Sequence, residues 1–336
     1  MRLDALEAMR LTRSNKQDKR FPNEEDARYE DGLLFPSLRP RFTLDAPAKV
    51  FTIGSCFARN IELTLQDYDI ELPTMGFSVP ETEWDFRPNG LLNEYNPGTT
   101  SQRILSALGA REETNETLFE TGEGFLDLLL PGGYPVTRER AMARRREIDA
   151  VYGELASSDL VIITLGLVEA WYDEQDGTYL NRMPKPPAFR KDPDRYSFRR
   201  LDVADALPML DRAMEALIEA GVEHVLLTVS PVPLGTTFTG GDVIVANSYS
   251  KSVLRVCAQT LTEKHPQVDY FPSFEIVSSG GTDAFKDDNI HVEPRIVERV
   301  TGHMLKAYFP DIRPKTEGEF RTVQDDVGAE ESAVRA

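Results

Sequence analysis

The sequence predicts an α/β protein, a three-layer α/β/α sandwich around a mostly parallel, doubly wound sheet. Three observations carry that prediction. Four runs of apolar, β-branched and aromatic residues recur along the chain, segments of helical periodicity separate them, and two of the runs stop on a glycine. Strands joined through helices are parallel, and each crossover packs its helix back onto the sheet, so both faces are covered.

The first run, Val50 to Ile53, stops at Gly54 and is followed at once by Ser55 and Cys56. ARNIELTLQDY then carries Ile61, Leu65 and Tyr68 at helical spacing, which gives a strand, a sharp turn and a helix. A loop-rich stretch, MGFSVPETEWDFRPNGLLNEYNPGTTSQRILSAL, ends in a helix starting near Thr99 or Thr100. The next helix passes through TRERAMARRREID (137–149). Its acids, and the spacing of Ala141, Ile148 and Val151, predict a solvated helix face rather than an anion site. DLVIITLG (159–166) is the second strand. The helix ALPMLDRAMEALIEAG, closed by Gly221, leads into the third strand, HVLLTVSPVP (224–233). NSYSKSVLRVCAQTLTEKHP is an amphipathic helix and VDYFPSFEIV (268–277) the fourth strand; a last helix runs from about Pro294 to Tyr308.

These elements occupy residues 46–312 of the 336-residue chain. Residues 1–45, polar and punctuated by proline, read as an extended arm packed on that domain. Residues 313–336, charged and poor in large apolar side chains, read as a disordered acidic tail. The aperiodic, proline-containing segment of about 171–200 reads as an inserted lid or side wall over the strand ends. A net charge of -18 and a pI near 4.8 argue against nucleic acid and anionic membranes as partners. No apolar run approaches the roughly 20 residues of a membrane span. The opening MRLDALEAMRLTRSNKQDKR lacks the apolar centre of a secretory signal, so a cytoplasmic location is expected. Cys56 and Cys257 cannot build a disulfide framework, and neither stands at metal-ligand spacing; no metal and no cofactor is expected.

Dinucleotide-binding, P-loop and G-x-S-x-G signatures are absent. Acyl chemistry needs a nucleophile at a strand end, a base within hydrogen-bond reach and donors for the oxyanion. The turn after the first strand offers Cys56 as a thiol, Ser55 as a hydroxyl, or a plain turn with a buried thiol. An ordinary thiol is already a few per cent ionised at neutral pH, and a helix starting after Cys56 adds a favourable dipole. His224, His265 and His303 read as structural or surface residues. His291 sits in FKDDNIHVEP with Asp288 three residues earlier, a spacing that can turn a carboxylate onto the ring. A capping aspartate beside a surface histidine has the same letters. Ser230 falls at the carboxyl edge of the sheet, and Asn247 and Ser250 at the start of an apolar helix, where they suit capping. Lys251 reads as a ligand for an anionic or carbonyl group or as a surface lysine. Trp171 with Tyr172 reads as a sugar-stacking platform or as packing under the lid, and Cys257 as core.

The order G-S-C after the first strand, T-L-G at the end of the second and D-x-x-H before the last helix resembles the SGNH, or GDSL-like, hydrolases. Within them the chain resembles the GSCFA family, named for the residues Gly54 to Ala58. ITLGLVEAW (163–171), TVSPVPL (228–234), ANSYSKSVLR (246–255), YFPSFEIV (270–277) and DDNIHV (287–292) are similar to that family's blocks, so the likeness spans roughly residues 35–310. It implies a flavodoxin-like, SGNH-type sheet and a hydrolase or acyltransferase acting on an ester or amide, with a small-molecule or glycan acyl substrate. It puts Gly54 at the glycine of G-D-S, Ser55 at the aspartate, Cys56 at the nucleophile, His291 at the base and Asp288 at the orienting acid. It implies oxyanion donors at Asn96 and Gly98 in NPGT, beside the nucleophile's own amide, though N-P-G reads equally as a plain turn. Gly166 opens the block that carries G-x-N in the superfamily, but Val168 stands at the asparagine and Glu169 follows. A carboxylate only accepts, so Glu169 is read as binding a substrate hydroxyl or ammonium, or as holding the lid. The missing asparagine leaves a second class open, a catalytically weak binding or scaffold protein of the same fold.

Overall fold

The computed structural model describes residues 1–112 and 117–315. The expected acidic tail lies outside the described residues from position 316 onward. In the N-terminal segment, read as extended, residues Ala5–Ser14 are instead a helix (α1), because the Asp4 carboxylate accepts the Glu7 amide at 2.8 Å and caps it. A short hairpin follows, β1 (Tyr29–Glu30) and β2 (Leu33–Leu34). The central strand β3 (Ala48–Gly54) leads directly into α2 (Cys56–Leu65), and β4 (Ile70–Glu71) comes next. Then come α3 (Pro97–Ala107), a hairpin of β5 (Leu118–Thr121) and β6 (Gly124–Asp127), α4 (Arg138–Tyr152) and β7 (Leu160–Leu165). The proposed lid segment contains β8 (Glu169–Asp173), β9 (Thr178–Leu180), α5 (Pro186–Lys191) and β10 (Tyr196–Arg200). The chain closes with α6 (Val203–Glu219), β11 (Val225–Val229), α7 (Val243–Lys264), β12 (Val268–Tyr270), α8 (Ser273–Ser279) and α9 (Pro294–Tyr308).

Five parallel strands form the main sheet in the order β12-β11-β7-β3-β4. Along the chain β3 is first, β4 second and β7 third, so the strand order reverses between β3 and β7. That is the flavodoxin-like arrangement, whose ligands bind beyond the carboxyl ends of the strands at this switch point. Alternation along each strand divides the core. Phe51, Ile53, Val161, Ile163, Val225 and Leu227 pack under α3, α4, α6 and α7, while Val50, Leu160, Ile162 and Leu226 pack under α2, α8 and α9. Each such buried side chain contributes about 1.5–3 kcal/mol relative to exposure, which fixes the register of the strand ends that carry the site.

Three expectations change. The fourth strand stops at Tyr270 rather than at residue 277: Pro272 has no amide to continue the ladder, and Ser273 onward coils into α8. The arginine-rich face is solvated only in part: Arg138 and Arg146 are exposed, but two others are not. Arg144 and Arg145 are buried on α4 and pair with Glu83 at 3.4 Å and with Asp127 at 2.7 Å. The 171–200 region is a regular three-stranded antiparallel sheet, ordered β10-β8-β9, and not an aperiodic loop. The N-terminal segment runs along α9: Leu44 donates its amide to the Tyr308 carbonyl at 2.8 Å, and the His303 ring meets the Pro36 carbonyl at 3.1 Å. Among the described residues no helix is long and apolar enough to cross a membrane.

Candidate active site

The turn after β3 is dictated by space. Gly54 takes φ +136°, and a Cβ there would collide with the Thr164 carbonyl on β7, so only glycine lets the two strand ends approach this closely. Its carbonyl accepts the Glu94 amide at 2.8 Å. Ser55 is the N-cap of α2 and Cys56 its first residue, both buried at 3% exposure. The Ser55 hydroxyl donates to Ser230 Oγ at 3.0 Å and accepts the Phe57 amide at 3.4 Å. Its proton is therefore committed across the sheet, and Cys56 is left as the side chain at the positive end of the helix dipole.

His291 comes from the loop before α9. Lys286 donates its amide to the His291 carbonyl at 2.8 Å, and Asn289 takes a left-handed φ of 56°, which turns the chain sharply enough to bring Asp288 under the ring. Asp288 Oδ1 accepts the amides of Ile290 and His291 at 2.9 and 3.0 Å, and Oδ2 meets His291 Nδ1 at 2.5 Å. Burial alone would raise the Asp288 carboxyl; the bonds from the His291 ring and the two amides outweigh it and hold the group below its ordinary value. A carboxylate only accepts, so Nδ1 carries the ring proton and Nε2 presents its lone pair. His291 is 4% exposed, and its Nε2 is buried with no hydrogen-bond partner among the described residues. The turn after β3 and the loop before α9, at the starts of two helices that pack on one another, form the candidate corner. α2 runs back from the carboxyl end of the sheet, and a narrow crevice lined by Asn60, Leu63 and Thr64 of α2 and by Val292, Pro294 and Val297 shows the start of α9 packed on its second half. Cys56 and Val292 share one apolar cluster.

Beyond the strand ends lies a cavity of about 420 Å³, lined by Asn96, Glu169, Trp171, Arg182, Phe198 and Phe238 among others. Its wall includes Tyr95 and Asn96, which follow Glu94, the residue bonded to Gly54, and Leu234 to Thr236, which follow the Ser230 turn. Trp171 stands on β8 against Phe189, Phe198 and Phe238 at ring separations of 5.4, 5.7 and 5.3 Å. Glu169 holds the loop over the cavity, accepting the Thr237 hydroxyl at 2.6 Å and the Phe238 amide at 3.0 Å.

The remaining candidates divide between this cavity and the scaffold. Asn96 lines the cavity while capping α3, its Oδ1 accepting the Thr99 amide at 3.0 Å and its Nδ2 donating to the Leu180 carbonyl at 3.4 Å. Gly98 lies in the first turn of α3 where a Cβ would strike the Tyr179 ring, and Gly166 where one would strike the Tyr95 carbonyl. Both glycines serve close packing. The Val168 amide donates to Ser250 Oγ at 3.0 Å. Asn247 accepts the Leu234 amide at 3.0 Å. Lys251 is neither on the surface nor facing the cavity: at 1% exposure it donates to the carbonyls of Gly166 and Val232 at 2.8 and 2.7 Å, stitching two strand exits together. Cys257 is core, and burial pushes its thiol up to about 11.

Two groups escaped the sequence reading. Arg59 and Glu62 form a buried pair on α2 at 2.6 Å, and Glu62 also accepts from Thr52, Thr74 and Asn89. Their i,i+3 spacing was the available signal. Arg182 in the cavity wall carried none.

A flavodoxin-like sandwich with adjacent hydroxyl and thiol at the switch point, and an Asp–His pair before its last helix, is the class that fold and site define. The chain belongs to the GSCFA family, whose model matches residues 49–304. Among solved structures it is similar to a carbohydrate esterase family 3 protein from Talaromyces cellulolyticus, at 10% identity over 76% of this chain and 94% of that one, with a TM-score of 0.35. No curated protein matches.

Proposed function

We propose that the protein is an acyl-transferring enzyme, a hydrolase or acyltransferase, that forms a thioester on Cys56. One observation carries the reading: His291, its Nδ1 held by Asp288, keeps a buried Nε2 with no hydrogen-bond partner among the described residues, on the loop before a helix that packs against the helix Cys56 opens. His291 Nε2 takes the Cys56 proton as sulfur attacks the carbonyl carbon of an ester. The tetrahedral oxyanion forms at the start of α2, where the helix dipole favours negative charge. Collapse breaks the carbon–oxygen bond, and the imidazolium returns its proton to the leaving alkoxide. Water or an acceptor hydroxyl, deprotonated by the same nitrogen, then attacks the thioester; the sulfur leaves and recovers the proton.

Cys56 is preferred to Ser55 because the Ser55 hydroxyl is spent on Ser230. A binding or scaffold role draws on the Val168 amide being engaged by Ser250, where the superfamily has a donor aimed at substrate. Exposure to p-nitrophenyl acetate followed by peptide mass mapping separates the readings. An acetyl group on Cys56 that hydroxylamine removes supports the enzyme. An acetyl group on Ser55 reassigns the nucleophile, and no adduct on either residue leaves the binding role.

A further inference from the structure

The cations near the cavity are not treated alike. Arg144 and Arg145 pair with Glu83 and Asp127, and Arg195 with Asp173 at 2.8 Å. Arg182 instead donates from Nη1 alone to the carbonyls of Gly132 and Gly133, at 3.0 and 3.2 Å, and makes no other polar contact among the described residues. It lines the cavity wall beside Trp171 and Phe198. Desolvation pushes its guanidinium down to about 10, with Asp127 opposing and Arg144 adding to the fall, so it is still charged at neutral pH. A desolvated cation without a carboxylate costs the fold free energy that a bound anion would return. A perturbed cation in a cleft is a candidate binding group.

The rest of the cavity narrows the ligand. Leu167, Trp171, Leu180, Phe198, Leu234 and Phe238 make most of the wall apolar, and a volume of about 420 Å³ suits a small molecule. Among the described residues no lysine and no second arginine lines it, so Arg182 is its one cation, set in the same wall as the Glu169 carboxylate. The carboxylate of Glu169 is already occupied by Thr237 and Phe238. A single planar guanidinium fits one carboxylate better than a phosphate dianion, above all in a chain of net charge -18.

We infer that this cavity takes a substrate with an apolar, ring-bearing body and one free carboxylate, the body lying against Trp171 and Phe198 and the carboxylate received by Arg182. The inference rests on the acyl-transfer reading for where the reacting ester lies, but the binding step needs only the cavity. Calorimetric titration of Cys56→Ala protein, which cannot turn over, tests it with three probes: 4-phenylbutyrate, its uncharged amide, and 3-phenylpropyl phosphate. The expected result is binding of the acid at least about tenfold tighter than of the amide, the size of one charge-assisted hydrogen bond. Arg182→Gln should erase that preference and Arg182→Lys keep part of it, with thermal unfolding confirming that each variant is folded. Equal affinity for acid and amide, a preference that survives Arg182→Gln, tighter binding of the phosphate than of the acid, or no binding at all would each overturn it. Carboxylate preference together with no acylation of native Cys56 would sink the enzyme reading and leave this assignment standing.

Discussion

The reacting corner and the cavity wall are built by different physics. At the corner, Ser55, Cys56 and His291 hold their places because each sits at a helix start or on a tight loop, next to strands buried on both faces. The wall is a three-stranded antiparallel sheet held by aromatic edges and by partly exposed pairs, such as Arg199 on Glu174 at 3.0 Å and Arg199 over the Tyr172 ring at 3.4 Å. Partly exposed pairs contribute little each, about 0–1 kcal/mol. The proposed reading divides the labour: it puts bond making at strand ends packed on both faces, and recognition on a wall joined by partly exposed pairs.

The largest expected effect strikes the corner alone. His291→Ala should slow acylation of Cys56 by p-nitrophenyl acetate on the order of 10²–10⁴-fold, the usual worth of a general base, while leaving calorimetric binding in the cavity unchanged. A rate within a few-fold of native would remove His291 from the mechanism. Next comes the floor beneath the corner. Glu62→Ala strips the partner from Arg59, which is 1% exposed, and should cost about 3–5 kcal/mol in urea unfolding. A loss under about 1 kcal/mol would mean that the pair is not fully desolvated.

The smallest effect lies at the far end of α9. Burial pushes the His303 ring below its ordinary value of 6.5, against the pull of the Pro36 carbonyl. A depressed histidine is neutral in the folded state, so its contribution is present above about pH 6.5 and is lost as pH falls below it, where the unfolded chain takes the proton more readily. His303→Gln keeps a donor for Pro36 and removes the titration. Its melting temperature should therefore fall less than that of the native protein between pH 7.5 and 5.5, and parallel curves would exclude the residue.

What the sequence made legible follows from range. The apolar runs, the glycine stops and the D-x-x-H loop are local patterns, and the strand ends and the Asp288–His291 contact formed where those letters stand. Pairings between distant charges were illegible: nothing in TRERAMARRREID shows that Arg144 meets Glu83 on another loop. Lys251 looked like a solvated head group because its partners are backbone carbonyls, which no side-chain pattern announces. FPSFEIV was ambiguous for another reason, since a short apolar run has no period that separates strand from buried helix, and Pro272 decided the matter. The wall strands, with burial alternating irregularly in EAWYD, hid their pairing for the same reason.

The bond from Ser55 to Ser230 reaches over the end of β7, since β7 lies between β3 and β11 and Ser230 itself donates its amide to Leu165. It works as a tie-rod. The turn that aims the thiol and the loop that roofs the cavity are anchored to one another rather than each to its own strand. A substitution at Ser230 therefore disturbs the strand-end turn as well as the strand exit that leads into the cavity loop.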